Sequence, residues 1–183
     1  QGKHDPASLT PEGVIALVRA RELSQLLLNN HPRALNDAAC QAIASLPGLS
    51  TISLRATNLQ DDWLRHFNAA SSLRRVELVA TPITDTGLGH LAGLESLTLL
   101  SIGDTHVTPE GLRRLKSITT LAELGCGRVR EAIGGEVHQI LSICPQLSRL
   151  VLVGNLTADA FADIGHMSRL SWIDLNASTV DRP

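Results

Sequence analysis

The side chains of this 183-residue chain able to do acid–base, nucleophilic or metal chemistry are seven histidines, three cysteines and eighteen carboxylates. Their spacing gives them little to do together. His66, His90, His138 and His166 fall between leucines at helical spacing, and no two of them converge with a serine or cysteine as a base and nucleophile would. Cys40, Cys126 and Cys144 are odd in number and far apart, with no C-x-x-C pair and no histidine at ligand spacing. They read as small buried hydrophobes, not as a zinc site or a disulfide framework. Gly87 and Gly111 stand 24 residues apart and form no G-x-G-x-x-G phosphate loop. The expectation is a protein that is not an enzyme, with no catalytic, cofactor-binding or metal-ligating set.

Composition narrows the field further. Sixteen basic and eighteen acidic residues leave a net charge of -2 without a long run of either sign, so the basic footprint of a nucleic-acid binder is missing. No apolar stretch reaches the ~18 residues of a membrane span. Leucine supplies 31 positions, whereas only Trp63, Trp172, Phe67 and Phe161 are aromatic. Such a chain builds its core from many small aliphatic contacts. Gln1-Gly2, with no methionine, reads as a tag remnant or the start of a processed chain, and residues 1–7 are set aside as a lead.

The leucines recur. Leu73, Val76, Leu78, Thr81, Ile83, Gly87, Leu88, Leu91 and Leu94 return 24 residues later as Leu97, Leu100, Ile102, Thr105, Val107, Gly111, Leu112, Leu115 and Ile118. One step earlier stand Leu49, Ile52, Leu54, Thr57, Leu59, Leu64 and Phe67, with Trp63 in the glycine's place. Weaker copies begin at Leu23, Leu121, Leu147 and Leu170. Residues 8–22 hold a helical half-repeat, 23–169 about six repeats of 23–26 residues, and 170–183 a strand half-repeat, all in one domain, 8–183. A period in this range means a solenoid whose units bury their apolar faces only by stacking.

Each copy switches period midway. Val76-x-Leu78 alternates as a strand does, and Leu88, Leu91 and Leu94 mark one helix face. Thr84-Asp85 and Thr108-Pro109-Glu110 supply the helix starts: a hydroxyl to accept orphan amides, a proline for the first turn, and carboxylates near the positive end of the dipole. Stacked strands form a parallel sheet, and because helices are wider than strands the sheet lines the inside of the curve. The fold class is therefore α/β: a right-handed solenoid, concave on its sheet and convex on its helices. Thr57, Thr81, Thr105, Asn155 and Ser178 share one position and are expected to bond backbone in the next turn.

The segment Leu97-x-x-Leu100-x-Ile102-x-x-Thr105-x-Val107-Thr108-x-x-Gly111-Leu112-x-x-Leu115 resembles the leucine-rich repeat proteins, in the bacterial variant of the cysteine-containing, ribonuclease-inhibitor-like subtype. Threonine stands where that subtype usually has cysteine or asparagine. The resemblance covers residues 8–180 and departs at Val129 and at Gly134-Gly135, which lengthen and disturb the fifth repeat. It implies the solenoid fold, protein or peptide partners, and an exported or envelope-associated protein.

Three stripes of residues are expected on the concave surface. The first runs Gln25, Thr51, Arg75, Leu99, Glu123, Arg149, Trp172; the second Leu27, Ser53, Glu77, Ser101, Gly125, Val151, Asp174; the third Asn29, Arg55, Val79, Gly103, Gly127, Val153, Asn176. An apolar dip ringed by charge is what a protein-binding patch looks like. The candidate partner-binding residues are Arg55, Arg75, Glu77, Val79, Leu99, Gly103, Asp104, Glu123, Gly127, Arg149, Val151, Val153 and Trp172. The central glycines either clear space for a ligand backbone or answer crowding beside the irregular fifth repeat. The favoured function is a non-enzymatic recognition scaffold that binds a protein or peptide on this face. The alternatives are the recognition arm of a longer multidomain enzyme, and a unit that self-associates end to end through its C-terminal strand.

Overall fold

The computed structural model describes residues 9–19, 22–127, 144, 146–153, 155–156, 162, 164–175 and 179–180. Val129, Gly134-Gly135, His138, Phe161, Asn176 and Ser178 lie outside them. Seven strands form one parallel sheet in chain order: β1 (Gln25–Leu27), β2 (Thr51–Ser53), β3 (Arg75–Glu77), β4 (Leu99–Ser101), β5 (Glu123–Gly127), β6 (Arg149–Val153) and, after the short β7 (Asn155–Leu156), β8 (Trp172–Asp174). A second sheet pairs β7 with β9 (Thr179–Val180). The register is that of the repeat, since Gln25, Thr51, Arg75, Leu99, Glu123, Arg149 and Trp172 sit side by side.

Helical segments alternate with the strands: α1 (Pro11–Val18), α2 (Asp37–Ala44), a 3-10 helix at Asp61–Ala69, α3 (Asp85–His90), and α4 (Pro109–Leu112) running into 3-10 turns at Arg113–Ser117. Their starts follow the sequence signals. Thr10, Asn36, Thr84 and Thr108 each accept a backbone amide of the first turn through a side-chain oxygen. Leu78, Leu88, Leu91, Leu97, Leu100, Leu115 and Leu124 are fully buried in one continuous core.

The first four strands, β1 to β4, each leave through a turn whose residue has positive φ: Asn30 at 63°, Ala56 at 52°, Ala80 at 57° and Asp104 at 54°. This conformation aims each of those amides at the next repeat, donating to Arg55, Val79, Gly103 and Gly127 carbonyls at 2.8, 2.9, 2.9 and 2.7 Å respectively. Backbone therefore stitches the turns together. The threonine hydroxyls do not, contrary to expectation: Thr57, Thr81 and Thr105 donate to Leu54, Leu78 and Ile102 carbonyls within their own turns, at 2.7, 2.6 and 2.8 Å. With the inter-repeat acceptors already taken by main-chain amides, each hydroxyl closes back on the strand it follows.

A carboxylate makes the side-chain link between repeats. Asp61 accepts the Thr84 amide at 2.8 Å and the Thr84 hydroxyl at 2.5 Å, and Asp85 treats Thr108 the same way at 2.8 and 2.7 Å. The repeat glycine follows from this. A Cβ on Gly87 would lie 2.2 Å from Asp61 Oδ1, and one on Gly111 2.0 Å from Asp85 Oδ1. Trp63 occupies the same position one repeat earlier, and there Asp37 turns to Arg65 at 2.6 Å and His66 at 2.9 Å instead.

Candidate functional site on the concave sheet

Residues that alternate with the buried strand leucines face the hollow of the curve, and register brings distant parts of the chain onto one surface. Arg55, Arg75, Glu77, Leu99, Glu123 and Val151 line a common hollow of about 180 Å³, floored by Leu100, Ser101 and Gly125. Arg55 also borders a second hollow of about 400 Å³ with Asn29, Asn30, Ala56, Val79, Ala80 and Asp104. The first is smaller than the roughly 300–1,000 Å³ of sites that enclose small molecules, and suits one side chain of a larger partner. A roomier groove of about 630 Å³ lies between α1 and α2 at the N-terminal end. Among its described lining residues Arg19 is the one that carries a charge.

A polar chain crosses β1, β2 and β3. Arg75 donates through Nε to Glu77 Oε1 at 2.8 Å and pairs with the same oxygen through Nη2 at 2.7 Å. Glu77 Oε2 lies 3.0 Å from the Ser53 hydroxyl, which also lies 2.7 Å from Asn29 Oδ1. Asn29 Oδ1 in turn accepts the Arg55 amide at 3.0 Å. Burial raises the Glu77 pKa, but the hydrogen bonds from Arg75 and Ser53 and the charges of Arg75 and Arg55 outweigh it and hold the carboxyl below its ordinary 4.5. Glu77 is therefore an anion fixed in place.

The C-terminal side of the face is looser. Arg149 Nε stands 3.6 Å from Glu123 Oε2, with both side chains partly exposed. The Arg149 guanidinium also lies 4.8 Å from the centre of the Trp172 ring, within cation–π range. Trp172 is 41% exposed, and Val151 and Val153 are half-buried beside it in the stripes.

The central glycines answer crowding. Gly103 is buried, and a Cβ there would meet Gly127 N at 3.0 Å and Gly127 Cα at 3.1 Å, so it faces the neighbouring backbone and not solvent. A Cβ on Gly127 would meet Gly103 Cα at 3.3 Å and Val153 Cβ at 4.0 Å. Gly125 is buried against Ser101, whose Oγ would lie 3.0 Å from an added Cβ. Of the two readings of the central glycines, crowding is the one that fits Gly103, and bulk there would push on the Gly127 backbone. Ser53, 1% exposed, was also legible as a stripe residue but not as the centre of a relay, because the relay depends on reach between strands.

Among the described residues no group of three or more His, Cys, Asp or Glu residues is placed to hold a metal ion. Cys40, Cys126 and Cys144 are buried free thiols, with burial pushing their pKa values up to about 12, 12 and 11. Two convex histidines are less solvated than their spacing implies: His66 is half-buried against Asp37, and His90 Nε2 is enclosed without a hydrogen-bond partner. Of the other two, His166 is exposed. No helix among the described residues is long and apolar enough to cross a membrane.

No family model and no curated protein sequence matches the chain. Solved structures do. An internalin of Listeria monocytogenes, inlF, superposes with a TM-score of 0.69 at 22% identity over 92% of this chain and 46% of its own. The chain thus spans less than half of that internalin. A second internalin of the same organism, inlC2, matches with a TM-score of 0.58 at 21% identity, over 92% of this chain and 76% of that one. A plant peptide hormone receptor, RGFR1, solved in complex with RGF2, matches with a TM-score of 0.53 at 13% identity, over 91% of this chain and 26% of the receptor. The fold is that of a leucine-rich repeat protein, a curved parallel sheet backed by helices.

Proposed function

We propose that the chain is a non-enzymatic recognition scaffold that holds a protein or an extended peptide against its concave sheet. The observation that carries this reading is the fixed relay of Asn29, Ser53, Glu77 and Arg75 beside a hollow walled by Leu99 and Val151. Rigid polar groups around a small depression with Leu99 and Val151 in its wall give a partner orientation and contact area at low ordering cost. The matched structures support it through the receptor solved with RGF2, whose fold is shared.

The test is capture of a partner from the source cells by wild-type protein and by two variants. Leu99→Arg fills the hollow and should abolish capture. Arg114→Glu, on an exposed convex position, should leave it intact. Loss with Arg114→Glu and retention with Leu99→Arg moves the site to the helices.

A second reading has an observation of its own. Among the described residues the exposed large hydrophobics are Leu17, Leu27, Trp172 and Ile173, all in the first or last elements of the array. Among the described residues β8 is also an edge strand of the sheet, so end-to-end association of copies is the competing use of the fold. Light scattering separates them: mass that rises with concentration and falls with Ile173→Lys favours assembly.

A further inference from the structure

The three concave arginines differ in what they are bonded to. Arg75 is held by Glu77, and Arg149 is shared between Glu123 and the Trp172 ring. Arg55 is exposed, and its guanidinium has no hydrogen-bond acceptor or ion-pair partner among the described residues. Glu77 is near enough for the Arg55 charge to help hold its carboxyl low, but among the described residues the hydrogen bonds to Glu77 come from Arg75 and Ser53. The Arg55 amide, meanwhile, is fixed to Asn29 at 3.0 Å, which anchors the base of the side chain. A planar donor fork thus stands on a rigid base at the rim of the small hollow, bordering both depressions of the face.

Resting on the recognition reading above, we propose that Arg55 is the specificity-determining residue of the face: it takes a carboxylate of the partner segment while the hollow beside Leu99 and Val151 takes an apolar side chain of the same segment. A guanidinium bonds a carboxylate in bidentate fashion, which adds geometry to charge. The hollow has room for one short apolar side chain, laid against Leu99 and Val151 between the charged groups of Arg75, Glu77 and Glu123, in about 180 Å³. The carboxylate comes from an aspartate, a glutamate or a chain terminus.

The experiment is selection of a random peptide library against the whole chain, followed by affinity measurement on the selected peptides with free and amidated C-termini. Wild-type protein is expected to enrich peptides carrying a carboxylate next to an apolar residue. Arg55→Ala should bind them about tenfold or more weakly, a loss of ~1.4 kcal/mol. Arg55→Glu should invert the preference to basic peptides. Sensitivity to amidation assigns the carboxylate to the chain terminus, and insensitivity assigns it to a side chain. Peptides without acidic preference that Leu99→Arg still rejects overturn the Arg55 assignment and leave the recognition reading standing. Peptides indifferent to both variants, or no enrichment at all, overturn both. Circular dichroism melts of Arg55→Ala and Leu99→Arg, matching wild type, keep misfolding from imitating either result.

Discussion

β4 and β8 carry the same repeat positions in the same sheet, yet Leu100 is fully buried while Ile173 is 36% exposed. Leu100 has strands on both sides, whereas among the described residues β8 has a strand on one side only. The difference teaches where stability resides. In a stacked array each unit is held by its neighbours, so an interior position gains from two interfaces and a terminal one from a single interface.

Truncation should expose that contrast most strongly. Leu100→Ala or Leu78→Ala is expected to cost roughly 2–5 kcal/mol, as other buried leucine truncations do. Ile173→Ala should cost less than about 1.5 kcal/mol, because a partly exposed side chain leaves little cavity behind. Urea denaturation midpoints check both, and equal losses at the two sites would break the comparison.

The next effect is confined to the interior repeats. Gly87→Ala should destabilise by about 1–3 kcal/mol, since the methyl must displace the Asp61 carboxylate. In an Asp61→Ala background the same substitution should cost much less, giving a coupling of roughly 0.5–3 kcal/mol in a double-mutant cycle. Additive losses would show that the carboxylate does not dictate the glycine.

Backbone strain in the turns is smaller again. Ala80→Gly relieves a positive φ that L residues adopt at a cost of ~1–2 kcal/mol, offset in part by the entropy glycine loses, so a gain of about 0.5 kcal/mol is expected in the melting curve. Asn30 and Asp104 sit at the same turn position with side chains better suited to it, and replacing either by glycine should gain less.

The smallest effect is on acid stability. Glu77 is held below its ordinary value of 4.5 in the folded chain, so the stability it contributes is present above that pH and fades as pH falls through the lowered value. Wild-type protein should lose slightly more stability than Glu77→Gln between pH 5 and 3, by about that fading contribution. Identical acid limbs would show that the Arg75–Glu77 pair is too solvated to matter.

Much of this was legible in the chain itself. The 24-residue period set the strand register, the order of the sheet and the stripe membership of Arg55, Arg75, Glu77, Leu99, Glu123 and Arg149. Thr84 and Thr108 announced their helices by local chemistry, because a cap bonds within three residues. What stayed hidden depends on reach between repeats. The Asp61–Thr84 and Asp85–Thr108 links join residues 23 apart, and repeat arithmetic aligns positions without saying which side chains cross. The Gly103–Gly127 approach likewise arises from two backbones, and neither glycine alone distinguishes a space kept for a ligand from one filled by its neighbour.

Methyl NMR of the chain titrated with a selected peptide tests the concave assignment most directly. Leu99, Val151 and Val153 line or flank the proposed contact, whereas Leu17 is exposed on α1 at the N-terminal end. The account predicts that the methyl signals of Leu99, Val151 and Val153 shift in proportion to bound peptide while those of Leu17 stay fixed. Shifts at Leu17 and at Ile15 in the groove between α1 and α2, with Leu99 and Val151 unmoved, would contradict it.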